Sequence, residues 1–186
     1  MQKEVDLLYM FETHRGRQID KWEHYFPIYE RHLAKFRDKK IRVLELGVDH
    51  GGSLQLWKRY FGAQAEIIGI DINPLSGFEE PQIRVYLYDQ TNKDIALMGP
   101  FDIVIDDGSH LQEHQVLSFE HLWPRCTGVY LIEDCHTVYP AVRNVGGIRF
   151  TYPWVVVYER PHRMIRGTPS RELREDEVEA RKLYGA

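Results

Sequence analysis

The sequence predicts an α/β protein built on a doubly wound, mostly parallel sheet of seven strands, with an antiparallel hairpin at its C-terminal edge. Three observations carry this. Apolar runs of strand length alternate with stretches of helical periodicity, the pattern of a parallel sheet covered on both faces. Five of these runs end on an acidic residue or on a glycine. The last third of the chain holds two further apolar runs with no room for a helix between them.

Each element follows from its residues. Met1–Phe11 mixes leucine, tyrosine and phenylalanine with charge, as in a short amphipathic helix, and "THRGRQIDKW" breaks it at Gly16. From Tyr25 to Phe36, apolar and aromatic residues recur every three or four positions among Glu30, Arg31 and Lys35, giving a helix with one wet face. "IRVLELG" is the first strand. "LQLWKRYFG" is the helix after it, closed by Gly62. "AEIIGIDI", "IRVYLYD", "FDIVIDD" and "GVYLIED" are the next four strands, with the helical "LQEHQVLSFEHLW" before the fifth. "YPWVVVYERPHRMIRG", Tyr152–Gly167, is two apolar runs parted by Pro161 and reads as the edge hairpin. "SRELREDEVEARKLYG" reads as a charged terminal helix. One domain over 1–186 results, with a helical cap segment at 1–38 and a C-terminal helix at 171–186.

The bulk composition narrows the function. At 186 residues and 43% hydrophobic content the chain can bury one core of ordinary size. A net charge of −4 gives no general attraction to phosphate backbones or anionic lipid, so neither nucleic acid nor membrane is expected as a partner. Cys126 and Cys135 stand without a paired framework and read as two buried thiols in a reducing cytoplasm. No window approaches the ~20 apolar residues of a membrane span, and the N-terminus lacks a secretion signal. A cytoplasmic protein is the expectation.

Ligands of open parallel sheets bind at the carboxyl ends of the strands, near the reversal of strand order. The strand ends carry Glu45, Asp71, Asp89, the pair Asp106 and Asp107, and the pair Glu133 and Asp134. So many carboxylates at one rim repel one another unless cations lie between them. Two cations are expected.

The first belongs to the loop "ELGVDHGGS". Gly47, Gly51 and Gly52 let backbone approach a ligand where the chain turns into a helix, and Gly47, Gly51 and Ser53 are expected to contact the cofactor there. A dinucleotide site prefers G-x-G-x-x-G and a pyrophosphate. Here the spacing is G-x-x-x-G-G, and Glu45 disfavours a pyrophosphate while favouring an ammonium or a sulfonium. Asp71 is placed to accept both hydroxyls of a ribose, and a helix cap or turn is its alternative role. Asp89 with Gln90 reads as a contact to an adenine amino group or as a turn.

The second cation is a divalent metal. Asp107, Glu133 and Asp134 end two neighbouring strands and offer three hard oxygen donors, a set suited to Mg²⁺ or Mn²⁺ rather than zinc. Such an ion orients a substrate with adjacent hydroxyls, and His110, on the turn after Asp107, can take a proton from one of them. The competing structural reading makes Asp106, Asp107 and His110 caps of the helix starting near Leu111, with Ser109 at its N-cap. Asp106 fits that reading, a cofactor contact being its other role. His136 is a rival base, while His114 and His121 fall on a helix and pack or face solvent.

These residues resemble a known family. "DKWEHYFPIYERH", "VLELGVDHGGSLQLWKRYF", "IIGIDI", "FDIVIDDGSH" and "LIEDCHT", over roughly residues 20 to 140, resemble class I S-adenosylmethionine-dependent methyltransferases of Rossmann-like fold. Within them they resemble the metal-dependent sugar O-methyltransferases of macrolide biosynthesis and the related cephalosporin-hydroxylase-like family. The resemblance implies methyl transfer from S-adenosylmethionine to a hydroxyl of a small molecule or sugar. It implies metal ligands Asp107, Glu133 and Asp134, a general base at His110, and cofactor contacts at Glu45, Gly47 and Asp71. It also implies that the Lys21–Tyr29 segment covers the cofactor, and a homo-oligomer is compatible with it. The chain departs from the family in lacking a long N-terminal region and in an abbreviated "VYPAVRNVGGIRF", which would leave the acceptor side open. Two rivals are an NAD-dependent oxidoreductase, which leaves the three carboxylates unexplained, and a non-catalytic S-adenosylmethionine-binding module.

Overall fold

The computed structural model describes residues 6–73, 77–135 and 146–160. Eight strands form one sheet: β1 (Arg42–Leu46), β2 (Glu66–Asp71), β3 (Glu79–Glu80), β4 (Ile83–Leu87), β5 (Phe101–Asp106), β6 (Cys126–Ile132), β7 (Ile148–Tyr152) and β8 (Val155–Glu159). Their order is β3-β4-β2-β1-β5-β6-β8-β7. Strands β4, β2, β1, β5 and β6 run parallel, while β3, β8 and β7 pair antiparallel. The eighth strand is the two-residue β3, too short to leave a periodicity in the sequence.

Side chains alternate across the sheet as the pleat requires. Val43, Ile67, Ile103, Ile105, Val129 and Leu131 point to one face, where α1 (Leu7–Glu12), α2 (Phe26–Leu33) and α3 (Gly52–Phe61) pack around the fully buried Trp57 and Tyr29. Leu44, Leu46, Ile68, Ile70, Val104 and Tyr130 point to the other, against Phe119 of α4 (Gln112–Leu122) and the following Trp123. Fully burying one such side chain stabilises by about 1.5–3 kcal/mol, so the two apolar layers fix both faces. Gly62 ends α3 at φ +83°, with its N–H on the Lys58 carbonyl, as the sequence indicates.

Some expectations are displaced. The edge hairpin turns at Pro153 and Trp154, not at Pro161, because Ile148, Phe150 and Tyr152 form the outer strand by alternation without a continuous apolar run. Helix α4 begins at Gln112 with Leu111 as its cap residue and no side-chain cap, so neither Ser109 nor Asp106 serves as one. The aromatic stretch before β1 is α2 flanked by two 3-10 turns, Glu23–Tyr25 and Ala34–Phe36. His136 and the 171–186 helix lie outside the described residues. Among the described residues no helix is long and apolar enough to cross a membrane.

Candidate active site

The chain leaves β1 toward β2 and β4 on one side, then crosses to β5 and β6 on the other, so the strand order reverses between β1 and β5. Such a reversal splays the two outgoing loops and opens a crevice. A cleft of about 710 Å³ lies there. Its floor is the rim itself: Gly47 N–H donates to Ile70, Asp107 N–H to Leu46 and Glu133 N–H to Asp106, which carries the sheet's hydrogen bonding one residue past each strand. Gly47 sits at φ +86°, and a Cβ there would lie 2.1 Å from the Asp107 carbonyl oxygen. Only glycine allows β1 and β5 to approach so closely at this point.

On the glycine-loop side, Gly47, Ser53 and Asp71 line the cleft. One carboxylate oxygen of Asp71 accepts the N–H groups of Val48 and Asp49 (2.8 and 3.0 Å), and the other accepts that of Asn73 (2.7 Å). Asp71 therefore shapes the loop as a turn residue while still facing the cleft. Glu45 does not line it: fully buried, it accepts from Ser53 Oγ (2.8 Å) and Trp57 Nε1 (3.2 Å). Burial pushes its carboxyl up, against the pull of the Lys21 ammonium, to about 7.

Gly51, Asp89, Gln90 and Asp106 also stand outside the cleft lining. Asp89 closes a turn, accepting the N–H and hydroxyl of Thr91 at 2.8 Å each. Gln90 braces the turn after β5, accepting from Ser109 N–H (2.6 Å) and donating to Asp106 (3.2 Å). Asp106 is fully buried, and burial pushes its carboxyl up to about 7.

On the other side Asp107, His110, Glu133 and Asp134 all reach the cleft. Oxygens of Asp107 and Asp134 and a ring nitrogen of His110 lie within 4.8 Å of one another, a donor set that fits a divalent ion. His110 Nε2 is 3.9 Å from Asp134 Oδ2, and His110 Nδ1 is buried with no hydrogen-bond partner among the described residues. Both residues adopt left-handed backbone, His110 at φ +59° and Asp134 at φ +51°. A non-glycine residue held there stores on the order of 1–3 kcal/mol, and such strain clusters at functional sites. Glu133 turns inward: its carboxylate is buried, accepting from Tyr29 Oη (2.8 Å) and Lys21 Nζ (2.9 Å). Burial pushes it up, against the pull of Lys21 and with a further push from Asp107.

Sequence reasoning assigned no role to the side chain at the centre of this arrangement. Lys21, whose side chain is 3% exposed, places its ammonium on Asp107 and Glu133 and 3.7 Å from Glu45. Burial alone would lower its pKa, but Asp107 and Glu133 hold it well above the usual lysine range. Tyr25 Oη donates to Asp134 Oδ1 (2.6 Å). Lys21, Tyr25 and Tyr29 recur at four-residue steps in "KWEHYFPIY", and that spacing of polar tips was the available signal.

No protein-family model matches the chain. It is 42% identical over 136 residues to the 8-demethyl-8-alpha-L-rhamnosyl tetracenomycin-C 2'-O-methyltransferase of Streptomyces olivaceus, covering 64% of this chain and 36% of that protein. It is 42% identical over 131 residues to the mycinamicin VI 2''-O-methyltransferase of Micromonospora griseorubida, covering 62% of this chain and 33% of that protein. A crystal structure of MycE, a methyltransferase of the mycinamycin biosynthetic pathway in complex with Mg, SAH and mycinamycin VI, superposes with a TM-score of 0.71 at 28% identity. That match covers 96% of this chain and 60% of that one. The chain is a homologue of these sugar O-methyltransferases. It has the class I methyltransferase fold, and it spans about a third of the length of the curated relatives it matches.

Proposed function

We propose that the chain is the catalytic domain of an S-adenosylmethionine-dependent, divalent-metal-dependent O-methyltransferase acting on a hydroxyl of a sugar. The observation that carries this is the convergence of Asp107, His110 and Asp134 at one lip of a cleft whose other lip is the glycine loop with Asp71. Relatives named for sugar O-methylation, and a structural neighbour holding Mg and SAH, support the same reading.

Asp107, Glu133 and Asp134 would hold the ion, and Gly47, Ser53 and Asp71 the nucleoside. When bound, S-adenosylmethionine supplies an electrophilic methyl group on a sulfonium, and the divalent ion supplies the Lewis acidity that makes a sugar hydroxyl easier to deprotonate. His110 faces the cleft beside Asp134 and takes the hydroxyl proton at Nε2 as the oxygen gains the methyl group. Asp134 Oδ2 lies 3.9 Å from that nitrogen, where its negative charge favours the imidazolium that forms, and Tyr25 Oη donates to Asp134 Oδ1. Asp71 fixes the loop against which the nucleoside would rest, through the N–H groups of Val48, Asp49 and Asn73. An acceptor with two neighbouring hydroxyls suits the site, since one can be anchored while the other reacts. The arrangement offers a nicotinamide dinucleotide no helix-borne pyrophosphate fingerprint and gives the acidic lip no role in hydride transfer.

Titration calorimetry with S-adenosylmethionine and with NAD, followed by transfer of a labelled methyl group to a panel of deoxysugar glycosides, tests the proposal. Binding of the sulfonium nucleoside alone, with label on a sugar hydroxyl, is expected. Binding of NAD in its place would refute it. Cofactor binding with no transfer to any diol would favour a non-catalytic binding module.

A further inference from the structure

Lys21 does not come from the sheet. It lies between α1 and the 3-10 turn at Glu23–Tyr25, on a segment laid across the start of α3. Gly52 N–H donates to the Gln18 carbonyl (3.1 Å), and Arg17 N–H donates to Gln55 Oε1 (2.8 Å). A Cβ on Gly52 would lie 2.2 Å from that same Gln18 oxygen, so the segment is seated closely. From there the side chain runs inward and delivers one positive charge to the ends of β1, β5 and β6 together.

Two of the three carboxylates assigned to the ion, Asp107 and Glu133, are the two that Lys21 bonds directly. The third, Asp134, is taken by Tyr25. An ammonium and a dication cannot both sit against Asp107 Oδ2 and Glu133 Oε2 without bringing two cations into contact. Resting on the proposed metal role of these residues, we propose that Lys21 is a resident counter-ion that competes with the divalent metal for Asp107 and Glu133 and leaves them when the metal binds. The N-terminal segment thus carries its own occupant of the metal site. Lys21 neutralises the acidic rim before loading and keeps Glu133 directed toward Tyr29, and so acts as a positioning residue for the carboxylates assigned to the ion.

Two measurements on the full chain test this. In the unsubstituted protein, Lys21 acetylation by an N-hydroxysuccinimide ester is followed by peptide mass spectrometry. In chelator, Lys21 should be labelled at least about ten-fold more slowly than exposed lysines, and titrating Mg²⁺ should abolish that protection along the binding curve. In the second, free Mn²⁺ is counted by electron paramagnetic resonance for the wild type and for Lys21→Met. The variant should bind Mn²⁺ at least about ten-fold more tightly, because the competing charge is gone. Protection of Lys21 that is equal in chelator and at saturating Mg²⁺ would overturn the proposal, as would equal or weaker Mn²⁺ binding by the variant; either would leave the ion site standing. Absence of Mn²⁺ binding in both chains would overturn this proposal and the metal site together. Because the labelling needs no substitution, poor folding of Lys21→Met would not shield the idea.

Discussion

The Tyr29 hydroxyl donates to Glu133 Oε1 at 2.8 Å, joining the middle of α2 to the end of β6 inside the core. The ring itself packs edge-on against Trp57 at 5.2 Å. Tyr29→Phe should keep that packing and remove the donor, leaving a buried carboxylate with Lys21 as its remaining side-chain partner. Hydrogen bonds to charged groups contribute about 1.5–3 kcal/mol, so urea denaturation should show a loss of that size. A change below about 0.5 kcal/mol would mean that Glu133 is hydrated rather than held.

Gly47 should tolerate no side chain. At φ +86°, with a Cβ position 2.1 Å from the Asp107 carbonyl, Gly47→Ala meets backbone rather than a movable side chain. The expected cost is roughly 2–4 kcal/mol in thermal or urea unfolding, together with loss of nucleoside binding by calorimetry. A variant as stable and as tightly binding as the wild type would show that the two strand ends do not need this approach.

The edge hairpin should let go in acid. Glu159 on β8 accepts from His32 Nδ1 (2.8 Å) and Lys35 Nζ (2.9 Å), and His32 also contacts Tyr152 Oη of β7 at 2.7 Å. Burial pushes the Glu159 carboxyl up, but the His32 and Lys35 hydrogen bonds hold it below the usual glutamate range. Its folded pKa is thus lower than its unfolded one. Its stabilisation is complete above the unfolded value of about 4.3 and is lost as pH falls through the folded value. Glu159→Gln should be less stable than the wild type at pH 7, with a flatter fall below about pH 5. Parallel stability curves down to about pH 3 would contradict the linkage.

His110 carries the proton transfer in this account. His110→Asn retains a residue type that tolerates φ +59° and removes the base. Methyl transfer should fall by roughly 10²–10⁴-fold while S-adenosylhomocysteine binding stays within about two-fold. A fall of less than about five-fold would move the base elsewhere.

The central parallel strands were legible because they are buried apolar runs ending at an acid or glycine, as in "EIIGID" and "FDIVID", whereas β4, with Arg84, Tyr86 and Leu87 exposed, is only half-covered. The edge hairpin was misplaced because Ile148, Phe150 and Tyr152 alternate with Arg149 and Thr151 and half-bury, a weaker signal than the run Val155–Val157 beside them. At the site, residue types identified which side chains stand at the rim. They did not say which way each carboxylate turns. Glu45 and Asp106 belong to the acidic crowd in sequence, yet both fold inward to neighbours that only tertiary packing supplies, Trp57 for one and Tyr130 for the other. Lys21 was invisible as a charge partner because its carboxylates lie 86 and 112 residues away.

Methyl transfer to a sugar diol, assayed with and without a strong chelator, tests the metal-assisted reading of the Asp107, Glu133 and Asp134 lip most directly. Label should pass from S-adenosylmethionine to the acceptor in Mg²⁺, stop when the ion is removed, and resume when Mg²⁺ or Mn²⁺ is restored. Transfer at the same rate in chelator would contradict the account.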